Sequence, residues 1–403
     1  MKKKTNDWIS ATKRSPTLNA ARNLKMAEST QVFVRGSTVK FYEWLDSSHT
    51  GAFPEGPGIW ICGDCHVGNL GPVANSKGEV AIEIRDLDQT VIGNPAHDLI
   101  RLGLSLAMSA RDSNLPGVTT AKMIEQLMQG YEQAFMKAGN LLTGMEKPAA
   151  VTIAMKQAMA RSWKQLANER IGGMRPEIPL GKRFWPLTKV ERTAIFDIFS
   201  QDDLEELKVS LRPDGGGLPI KVIDAAYWMK GCSSLGLLRY AALVKFDEKA
   251  ADDGGMYLVD IKEAIKTAAP HYKGVKMPRD NAARVVQGAR QLAPHLGKRM
   301  IAARMLDRSV FLRELSPHDL KLEIRQFGRN EAMVAAGFLG RVVGKAHARQ
   351  METSTRQIWY RELLRHHTKT LDAPSWLWSS VVELVGTHEQ AYLEHCRRFA
   401  MNN

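Results

Sequence analysis

Apolar residues recur along the chain with helical and strand periods, and the changes of period mark the predicted elements. Residues 1–50 have the spacing of amphipathic helices. Within residues 58–99, short apolar runs alternate with polar turns, which predicts strand, turn, strand, turn and a helix beginning near Asn94. Helical spacing then prevails over residues 120–211, interrupted by an irregular, proline-containing insert at 172–186.

The second half of the chain begins with a linker, RPDGGGLP at residues 212–219. Short apolar runs then predict a small antiparallel sheet with one helix packed against it. Its elements are three strands at 225–230, 237–246 and 256–265, a helix at 281–296, and two strands at 300–306 and 309–315. The second and third strands are expected to form a hairpin. From about residue 330 the helical period returns.

The composition is that of a globular protein, with 44% hydrophobic and 25% charged residues. A chain of 403 residues is too long for one ordinary core and long enough for two lobes. No apolar run approaches the roughly 20 residues that a membrane span requires. The basic start, MKKK, is followed by polar residues, not by the apolar segment of a secretory signal. We therefore expect a cytoplasmic protein without a membrane span.

The net charge of +13 favours anionic partners such as nucleotides, nucleic acid or acidic lipid surfaces. The basic pairs at 13–14, 182–183 and 298–299 are scattered and are not interleaved with aromatic residues. A solvated basic surface accounts for such a distribution, so the charge alone does not indicate nucleic-acid binding.

The four cysteines are too few for a disulfide framework in a chain of this length. Two of them lie in CGDCH at residues 62–66, which matches the patterns of c-type haem attachment and of a redox CxxC. A zinc site would need a second Cys or His pair at comparable spacing, and the sequence has none. These alternatives stand beside a simpler interpretation, in which two small residues flank a functional Asp64.

Polar residues follow two predicted strands of the 58–99 segment. The first turn, GDCHVGN at residues 63–69, carries Asp64 and Asn69, and the second turn, RDLD at residues 85–88, carries Asp86 and Asp88. Phosphoryl transfer from a nucleotide needs Mg²⁺ on the phosphates, a carboxylate near the attacking hydroxyl and a cation on the phosphates. Carboxylates and an amide in neighbouring turns can supply the first two, so the segment predicts a metal-dependent phosphoryl-transfer site.

The later strands supply candidates for the phosphate contacts. The glycine turn, GCSSLG at residues 231–236, lies between two predicted strands, where glycine lets backbone N–H groups approach phosphates. Lys262 lies on the next strand but one, where a lysine would reach the α and β phosphates. The candidate nucleotide-binding residues are Gly231, Ser233, Ser234, Gly236 and Lys262. No GxxxxGK[ST] occurs, which disfavours a P-loop enzyme.

Three segments of the chain carry a family resemblance. GDCHVGN, IRDLD and GNPAHDL resemble the GDxHxxN, IDFD and GxPxxDL series of aminoglycoside and choline kinase-like phosphotransferases. More closely, residues 30–400 resemble an uncharacterised bacterial family of kinase-like proteins, in segments that include FVRG, KEA, REL and AHAR. The resemblance implies that Asp64 is the catalytic base, that Asn69 and Asp86 hold metal, and that Lys262 contacts phosphate.

Four further residues are candidates for supporting contacts: Arg35, His66, Asp98 and Glu263. Arg35 is a candidate anion contact, and Asp98 either caps its helix or holds the preceding turns in place. In kinases the phosphate-contacting lysine pairs with a helix glutamate, and the helix at 281–296 contains none. Gln287 and Glu263 are the possible substitutes.

The fold class implied is α+β, a two-lobed protein-kinase-like fold with a mainly helical large lobe and a small antiparallel-sheet lobe. The glycine turn and Lys262 follow the first two turns in the chain, so the lobes would be circularly permuted. The expected division is an N-terminal helical extension, a large lobe with the two turns, a sheet lobe that binds nucleotide, and C-terminal helices returning to the large lobe. Their ranges are 1–50, 51–215, 216–328 and 329–403.

The function expected is an ATP- and Mg²⁺-dependent phosphotransferase acting on a small hydroxylated or amine-bearing molecule, with transfer of AMP in place of phosphate left open. The alternative is a nucleotide-binding pseudokinase that regulates a partner, which the missing helix glutamate favours. A metal-dependent phosphoesterase is disfavoured, because the D-x-H of the first turn is not followed by the GDxxD and GNH elements of that class.

Overall fold

The computed structural model describes the chain at residues 8–48, 53–136, 147–160, 177–201, 204–212, 217–246, 255–316, 319, 328–365, 367 and 373–400. The N-terminal region is helical, as predicted. Its helices are α1 (Ala11–Met26), α2 (Thr30–Gly36) and α3 (Thr38–Ser48). Ser29 begins α2, since its side chain accepts a hydrogen bond of 3.2 Å from the backbone N–H of Val32.

The next segment contains the predicted strands and two more. The strands are β1 (Ile59–Ile61), β2 (Leu70–Ala74), β3 (Val80–Ile84) and β4 (Val91–Gly93), and α4 (Pro95–Asp112) follows. β1 pairs with β4, and β2 pairs with β3, both antiparallel. β2 and β4 were not predicted, because β2 contains glycine and proline and β4 is three residues long. α4 begins as predicted, with the Asn94 side chain accepting from the N–H of Ala96.

Five further helices pack with α4 around the largest apolar cluster. They are α5 (Gly117–Met136), α6 (Ala149–Ala160), α11 (Arg329–Ala348), α12 (Thr353–Arg365) and α13 (Ser375–Phe399). α5 and α11 approach each other closely enough to require glycine, since a Cβ on Gly340 would lie 2.1 Å from the carbonyl oxygen of Leu127. This close contact fixes the spacing of the helices that lie behind the first turn.

The second half forms one antiparallel sheet in the strand order β5-β6-β7-β8-β10-β9. Its elements, in chain order, are β5 (Phe184–Trp185), α7 (Lys189–Phe199), α8 (Glu205–Leu211), β6 (Ile220–Trp228), β7 (Arg239–Phe246), β8 (Tyr257–Glu263), α9 (Asn281–Leu292), α10 (Pro294–Gly297), β9 (Met300–Met305) and β10 (Arg308–Glu314). The five predicted strands and the helix against them are therefore present, and β7 pairs with β8 as expected for a hairpin.

The sheet extends further back along the chain than the sequence indicated. β5 comes from the insert that was expected to be irregular, and it pairs with β6 at the sheet edge. Helices α7 and α8 precede the boundary expected at residue 216, and they share an apolar core with the sheet. The middle of the predicted linker and the β7–β8 loop lie outside the described residues.

The described chain is thus α+β, with helices and antiparallel sheets. None of the helices that the structure describes combines the length and the apolar character needed to cross a bilayer.

Candidate functional site

A cleft separates the sheet from the first and second turns, and both sides of it carry residues singled out in the sequence. Those that line it are Arg35, Asp64, His66, Asn69, Asp86, Asp88, Gly231, Ser233, Ser234 and Lys262. Glu263 lines a smaller adjoining pocket. Gly236 instead packs beside α1, where a Cβ would lie 2.8 Å from Asn19 Oδ1, and Asp98 is fully buried beneath the first turn.

The first turn holds Asp64 by contacts from helix α4. Gly63 has a φ of +74°, and a Cβ there would lie 2.1 Å from the carbonyl oxygen of Gln89, so only glycine fits before Asp64. The carboxylate Oδ1 of Asp64 accepts a 2.9 Å hydrogen bond from Nε of the fully buried Arg101. Burial raises the pKa of Asp64, and the Arg101 guanidinium opposes that rise.

Asn69 joins the two turns. Its side-chain Nδ2 donates to the carbonyl oxygen of Asp64 at 2.8 Å. Its own carbonyl oxygen accepts from the backbone N–H of Arg85 at 2.7 Å. A short 3-10 turn over Val67–Asn69 leads directly into β2, which pairs with β3 just before the second turn. The pairing of these strands therefore brings Asp64, Asn69 and Asp86 to one edge of the cleft.

The second turn meets Lys262 across the cleft. Lys262 lies on the interior strand β8, opposite Arg239 of β7 and Phe311 of β10. Its Nζ contacts the carboxylate of Asp88 and lies 3.5 Å from Oδ1 of Asp86. A lysine from the sheet thus reaches both carboxylates of a turn far away in the sequence.

The two carboxylates of the second turn have opposite pKa shifts. Enclosure raises the pKa of Asp86, but the charges of Lys262 and of two nearby arginines outweigh it and hold that pKa well below its usual range. Burial and the charge of Asp86 raise the pKa of Asp88. Adjacent carboxylates with shifts in opposite directions are typical of sites that bind a cation or exchange a proton.

Helix α9 supplies a buried arginine to the second turn. Arg284 NH2 donates to the carbonyl oxygens of Asp88 at 3.1 Å and of Ile265 at 2.9 Å, and NH1 contacts the carbonyl oxygen of Thr90. Arg284 therefore fixes the backbone of the second turn. Arg284 was not predicted, because one arginine in an amphipathic helix has the pattern of a surface residue.

Neither Gln287 nor Glu263, the two residues considered as partners for Lys262, pairs with it. Gln287 is exposed. Glu263 points away from the adjacent Lys262. Its carboxylate accepts a hydrogen bond from the backbone N–H of Leu238 at 2.9 Å and forms an ion pair with Arg308 at 3.1 Å. Its side chain holds the end of the glycine turn, where β7 begins.

Asp98 holds the first turn in place, which is the second of the two roles considered for it. Its carboxylate accepts from the backbone N–H groups of Cys62 at 2.7 Å and Gly63 at 3.0 Å. His347 Nε2 lies 3.1 Å from Oδ2 of the same carboxylate, and Tyr131 O–H lies 3.0 Å from Nδ1 of His347. Because a carboxylate only accepts hydrogen bonds, Nε2 of His347 donates to Asp98, while Nδ1 shares a hydrogen bond with the tyrosine hydroxyl.

A buried charge cluster lies in the sheet below Lys262. Asp260 accepts two hydrogen bonds from Arg239, at 2.9 and 2.5 Å, and one from Arg313 at 3.2 Å. The charges of both arginines lower the pKa of Asp260, although burial raises it. This cluster was not predicted, although the alternation of Asp260 and Lys262 with apolar residues in VDIKE was a signal for it.

Cys62 and Cys65 are fully buried free thiols. A hydrogen bond with Cys65 and burial raise the pKa of Cys62 well above its usual value. Buried thiols with raised pKa values are poor nucleophiles and poor metal ligands, which favours the simpler interpretation of the CGDCH segment. Among the residues that the structure describes, no group of three or more His, Cys, Asp and Glu side chains is arranged to hold a metal ion.

The residues of the cleft do fit a magnesium ion that arrives with a nucleotide. Mg²⁺ is commonly held by one or two protein carboxylates together with substrate phosphates, so a complete protein cage is not needed. Asp88 Oδ1 is buried and accepts no hydrogen bond from the described residues, and Asp86 keeps 48% of its side-chain surface accessible. Oδ1 of Asp88, the carboxylate of Asp86 and the amide oxygen of Asn69 are therefore available as oxygen ligands at this edge of the cleft.

The fold and the cleft together define an α+β protein whose polar cleft joins a sheet lysine to two acidic turns. A family model described as an uncharacterized protein conserved in bacteria, DUF2252, matches residues 14–398, and the chain belongs to that family. No curated protein and no solved structure matches the chain.

Proposed function

We propose that this protein is an ATP- and Mg²⁺-dependent phosphotransferase with a two-lobed, circularly permuted kinase-like fold. The observation that carries the proposal is the contact of Lys262 with Asp86 and Asp88 across the cleft. Kinases use a sheet lysine on the nucleotide phosphates and an aspartate on the metal, and both groups must meet at one place. Here they meet although the chain supplies them in the reverse order.

The order of the sheet supports the same proposal. Counted from β6, the glycine turn joins the first two strands and Lys262 lies on the third. Helix α9 follows that strand and precedes the last two, which pair as β8-β10-β9. Protein kinases likewise cover the phosphates with a glycine-rich loop, place the lysine on the third strand and follow it with a helix.

The site residues take distinct roles in this proposal. The acceptor oxygen attacks the γ-phosphorus, its new bond to phosphorus forms as the bond to the ADP oxygen breaks, and its proton passes to Asp64. The contact with Arg101 favours the ionised form of Asp64 that can take this proton. Asn69, Asp86 and Asp88 would hold Mg²⁺, which would neutralise charge on the phosphates. Lys262 would exchange its carboxylate partners for phosphate oxygens.

The adjoining pocket supports a small hydroxylated or amine-bearing acceptor. Its lining includes the carboxylates of Asp64, Asp88 and Glu263 and the polar side chains of Thr38 and Gln89. Such a lining offers acceptors for hydroxyl and ammonium donors. Asp64 belongs to both the cleft and this pocket, which is the position that a base between nucleotide and acceptor requires.

A second candidate is a nucleotide-binding pseudokinase that regulates a partner. The observation in its favour is that α9 supplies Arg284, where a kinase pairs its lysine with a helix glutamate. This departure affects the positioning of Lys262, and it leaves the capacity to bind nucleotide intact.

The test combines nucleotide binding with product analysis. Purified wild-type protein and the variants Asp64→Asn and Lys262→Met are titrated with Mg·ATP and then incubated with labelled ATP, Mg²⁺ and a metabolite extract. Asp197→Asn, an exposed aspartate on α7, is the matched control. We expect Asp64→Asn to bind Mg·ATP like wild type and to lose product formation by about 10³-fold or more, and Lys262→Met to weaken binding.

The outcomes separate the candidates. Saturable binding without any labelled product identifies the pseudokinase. Product formation that survives in Asp64→Asn refutes the role of Asp64 as base, and absence of saturable Mg·ATP binding refutes the proposal as a whole. The mass added to the product distinguishes transfer of phosphate from transfer of AMP.

A further inference from the structure

The N-terminal helices, expected to be an extension of the fold, contribute directly to the cleft. Arg35 lies in the last turn of α2 and lines the cleft together with Asp64 and His66. We infer that Arg35 is a catalytic residue that contacts the phosphoryl group in transfer, as an arginine finger supplied within the same chain. This inference rests on the proposed phosphoryl transfer.

Arg35 stands directly over the first turn. A Cβ built on Gly68 would lie 3.2 Å from Nε of Arg35 and 3.2 Å from Cε1 of His66. Gly68 lies between Asp64 and Asn69, the proposed base and the proposed metal ligand. The absence of a side chain at Gly68 is therefore what lets the guanidinium approach the backbone of this turn.

Hydrogen bonds fix the N-terminal helices to both sides of the cleft. Arg101, which binds Asp64 through Nε, also donates through NH2 to the carbonyl oxygen of Val34, the residue before Arg35. Tyr42 O–H donates to the carbonyl oxygen of Gly63 at 2.7 Å. On the opposite side, Lys25 Nζ donates at 2.9 Å to the carbonyl oxygen of Gly231, the first residue of the glycine turn.

These bonds set the position of Arg35 relative to the proposed base. One buried guanidinium holds both the carboxylate of Asp64 and the backbone next to Arg35. Such positioning before the reaction favours catalysis, because a side chain that becomes ordered only in the transition state loses conformational entropy there and contributes less to lowering the barrier.

The charge balance of the cleft points to an anionic contact for Arg35. Lys262 pairs with Asp86 and Asp88, and the guanidinium groups of Arg239 and Arg313 pair with Asp260. Within the described part of the chain, no carboxylate lies within ion-pair distance of Arg35, although its side chain is half-buried. Burial raises the pKa of Cys232 in the glycine turn, and the charges of Lys25, Arg35 and Arg22 oppose that rise.

A partly buried guanidinium without a carboxylate partner is available to pair with an anionic ligand. Nucleotide phosphates bound by Lys262 and the glycine turn would occupy the sheet side of the cleft. Arg35 lies over Gly68 of the first turn and lines the cleft together with Asp64, where the transferred group would pass to the acceptor. An arginine at this point stabilises charge that develops on the transferred phosphoryl, a contribution worth about 10³- to 10⁵-fold in other enzymes.

The test uses a probe that needs no knowledge of the acceptor. Fluoroaluminate bound with Mg·ADP imitates the phosphoryl group in transfer, so an arginine that contacts this group contributes to the ternary complex and not to Mg·ADP binding alone. Affinity for Mg·ADP is measured with and without fluoroaluminate for wild type, Arg35→Ala and Arg35→Lys. Arg365→Ala is the matched control, since its side chain is 72% exposed on α12 and lies outside the cleft.

We expect Arg35→Ala to bind Mg·ADP within about 2-fold of wild type and to lose about 10²-fold or more of the affinity gained with fluoroaluminate. Arg35→Lys should lose about 10-fold, because lysine keeps the charge without the fork of donors. The control should match wild type in both measurements. Thermal unfolding checks that Arg35→Ala is folded. If it is not, the inference is tested with Arg35→Lys alone.

The outcomes distinguish this inference from the proposed function. Wild type that fails to bind Mg·ADP overturns the proposed function. Wild type that binds Mg·ADP but gains no affinity from fluoroaluminate overturns the inference about Arg35, as does an arginine variant that keeps the full gain. Equal weakening of Mg·ADP with and without fluoroaluminate also overturns it, because that result identifies a ground-state phosphate contact.

Discussion

Replacement of Asp98 by asparagine should destabilise the protein and disorder the first turn. Asp98 is fully buried on α4 and is the shared acceptor for the backbone N–H groups of Cys62 and Gly63 and for Nε2 of His347. Asparagine has nearly the same shape but replaces one acceptor oxygen by an NH₂ group. That group would face an N–H donor, so at least one buried N–H would lose its partner.

The magnitude follows from the number and kind of these contacts. Hydrogen bonds to a charged group contribute about 1.5–3 kcal/mol each, and an unsatisfied buried donor costs about 1–3 kcal/mol. Asp98→Asn weakens two backbone contacts of 2.7 and 3.0 Å and leaves one donor unpaired. We therefore expect a loss of about 3–5 kcal/mol in the free energy of unfolding, a large part of the stability of an ordinary domain.

The assay is urea unfolding followed by tryptophan fluorescence, together with Mg·ATP titration under conditions where the variant is folded. Asp112→Asn is the matched control. Asp112 lies on the same helix and also accepts a hydrogen bond, 2.7 Å from Thr30 Oγ1, but at an exposed position. We expect the control to change stability by less than about 1 kcal/mol. An unfolding free energy for Asp98→Asn within about 1 kcal/mol of wild type would show that the carboxylate does not hold the turn.

Two further predictions test the packing of α5 against α11 and the protonation of the buried His388. Gly340→Ala should lower the free energy of unfolding in urea by about 3 kcal/mol or more, because its Cβ would meet a backbone carbonyl of α5 at 2.1 Å. Gly386→Ala, where nothing lies within 4 Å, should instead raise it by up to about 1 kcal/mol. Equal effects of the two substitutions would contradict the close contact. Burial lowers the pKa of His388 to about 3, so the folded state keeps it neutral while the unfolded state binds a proton below about pH 6.5, and stability falls as pH decreases through that window. His388→Phe should therefore reduce the stability lost between pH 7.5 and pH 5 by about 2 kcal/mol, and an unchanged pH dependence would exclude a neutral His388.

The sequence indicated candidate site residues best where they lie in turns at the ends of strands. Asp64, Asn69, Asp86 and Asp88 stand in short polar turns between apolar runs, a local pattern that needs no knowledge of the fold. Lys262 could be singled out because it lies in a predicted strand that follows the glycine turn. The structure brings all five to one cleft.

Asp98 was predicted to support the turns, but three other supporting residues were not predictable, for a physical reason. Arg101, Arg284 and Asp260 are charged residues within apolar helices or strands, and sequence patterns assign such residues to the solvent face. Their burial depends on partners far away in the chain, and the pairing of Arg239 with Asp260 becomes visible only when β7 and β8 are in register. The strands β2 and β5 were missed because glycine, proline and short length weaken the strand pattern.

The first turn depends on residues from both ends of the chain. From the C-terminal side, Nε1 of Trp359 on α12 donates to the hydroxyl of Tyr131 at 3.1 Å. Tyr131 is hydrogen-bonded to His347, and His347 to Asp98, which binds the backbone before Asp64. From the N-terminal side, Arg101 and Tyr42 connect α2 and α3 to the same turn. The geometry of the proposed base is therefore a property of the whole fold. A match to the GDxHxxN pattern predicts a role for Asp64, whereas the position of its carboxylate depends on these buried contacts.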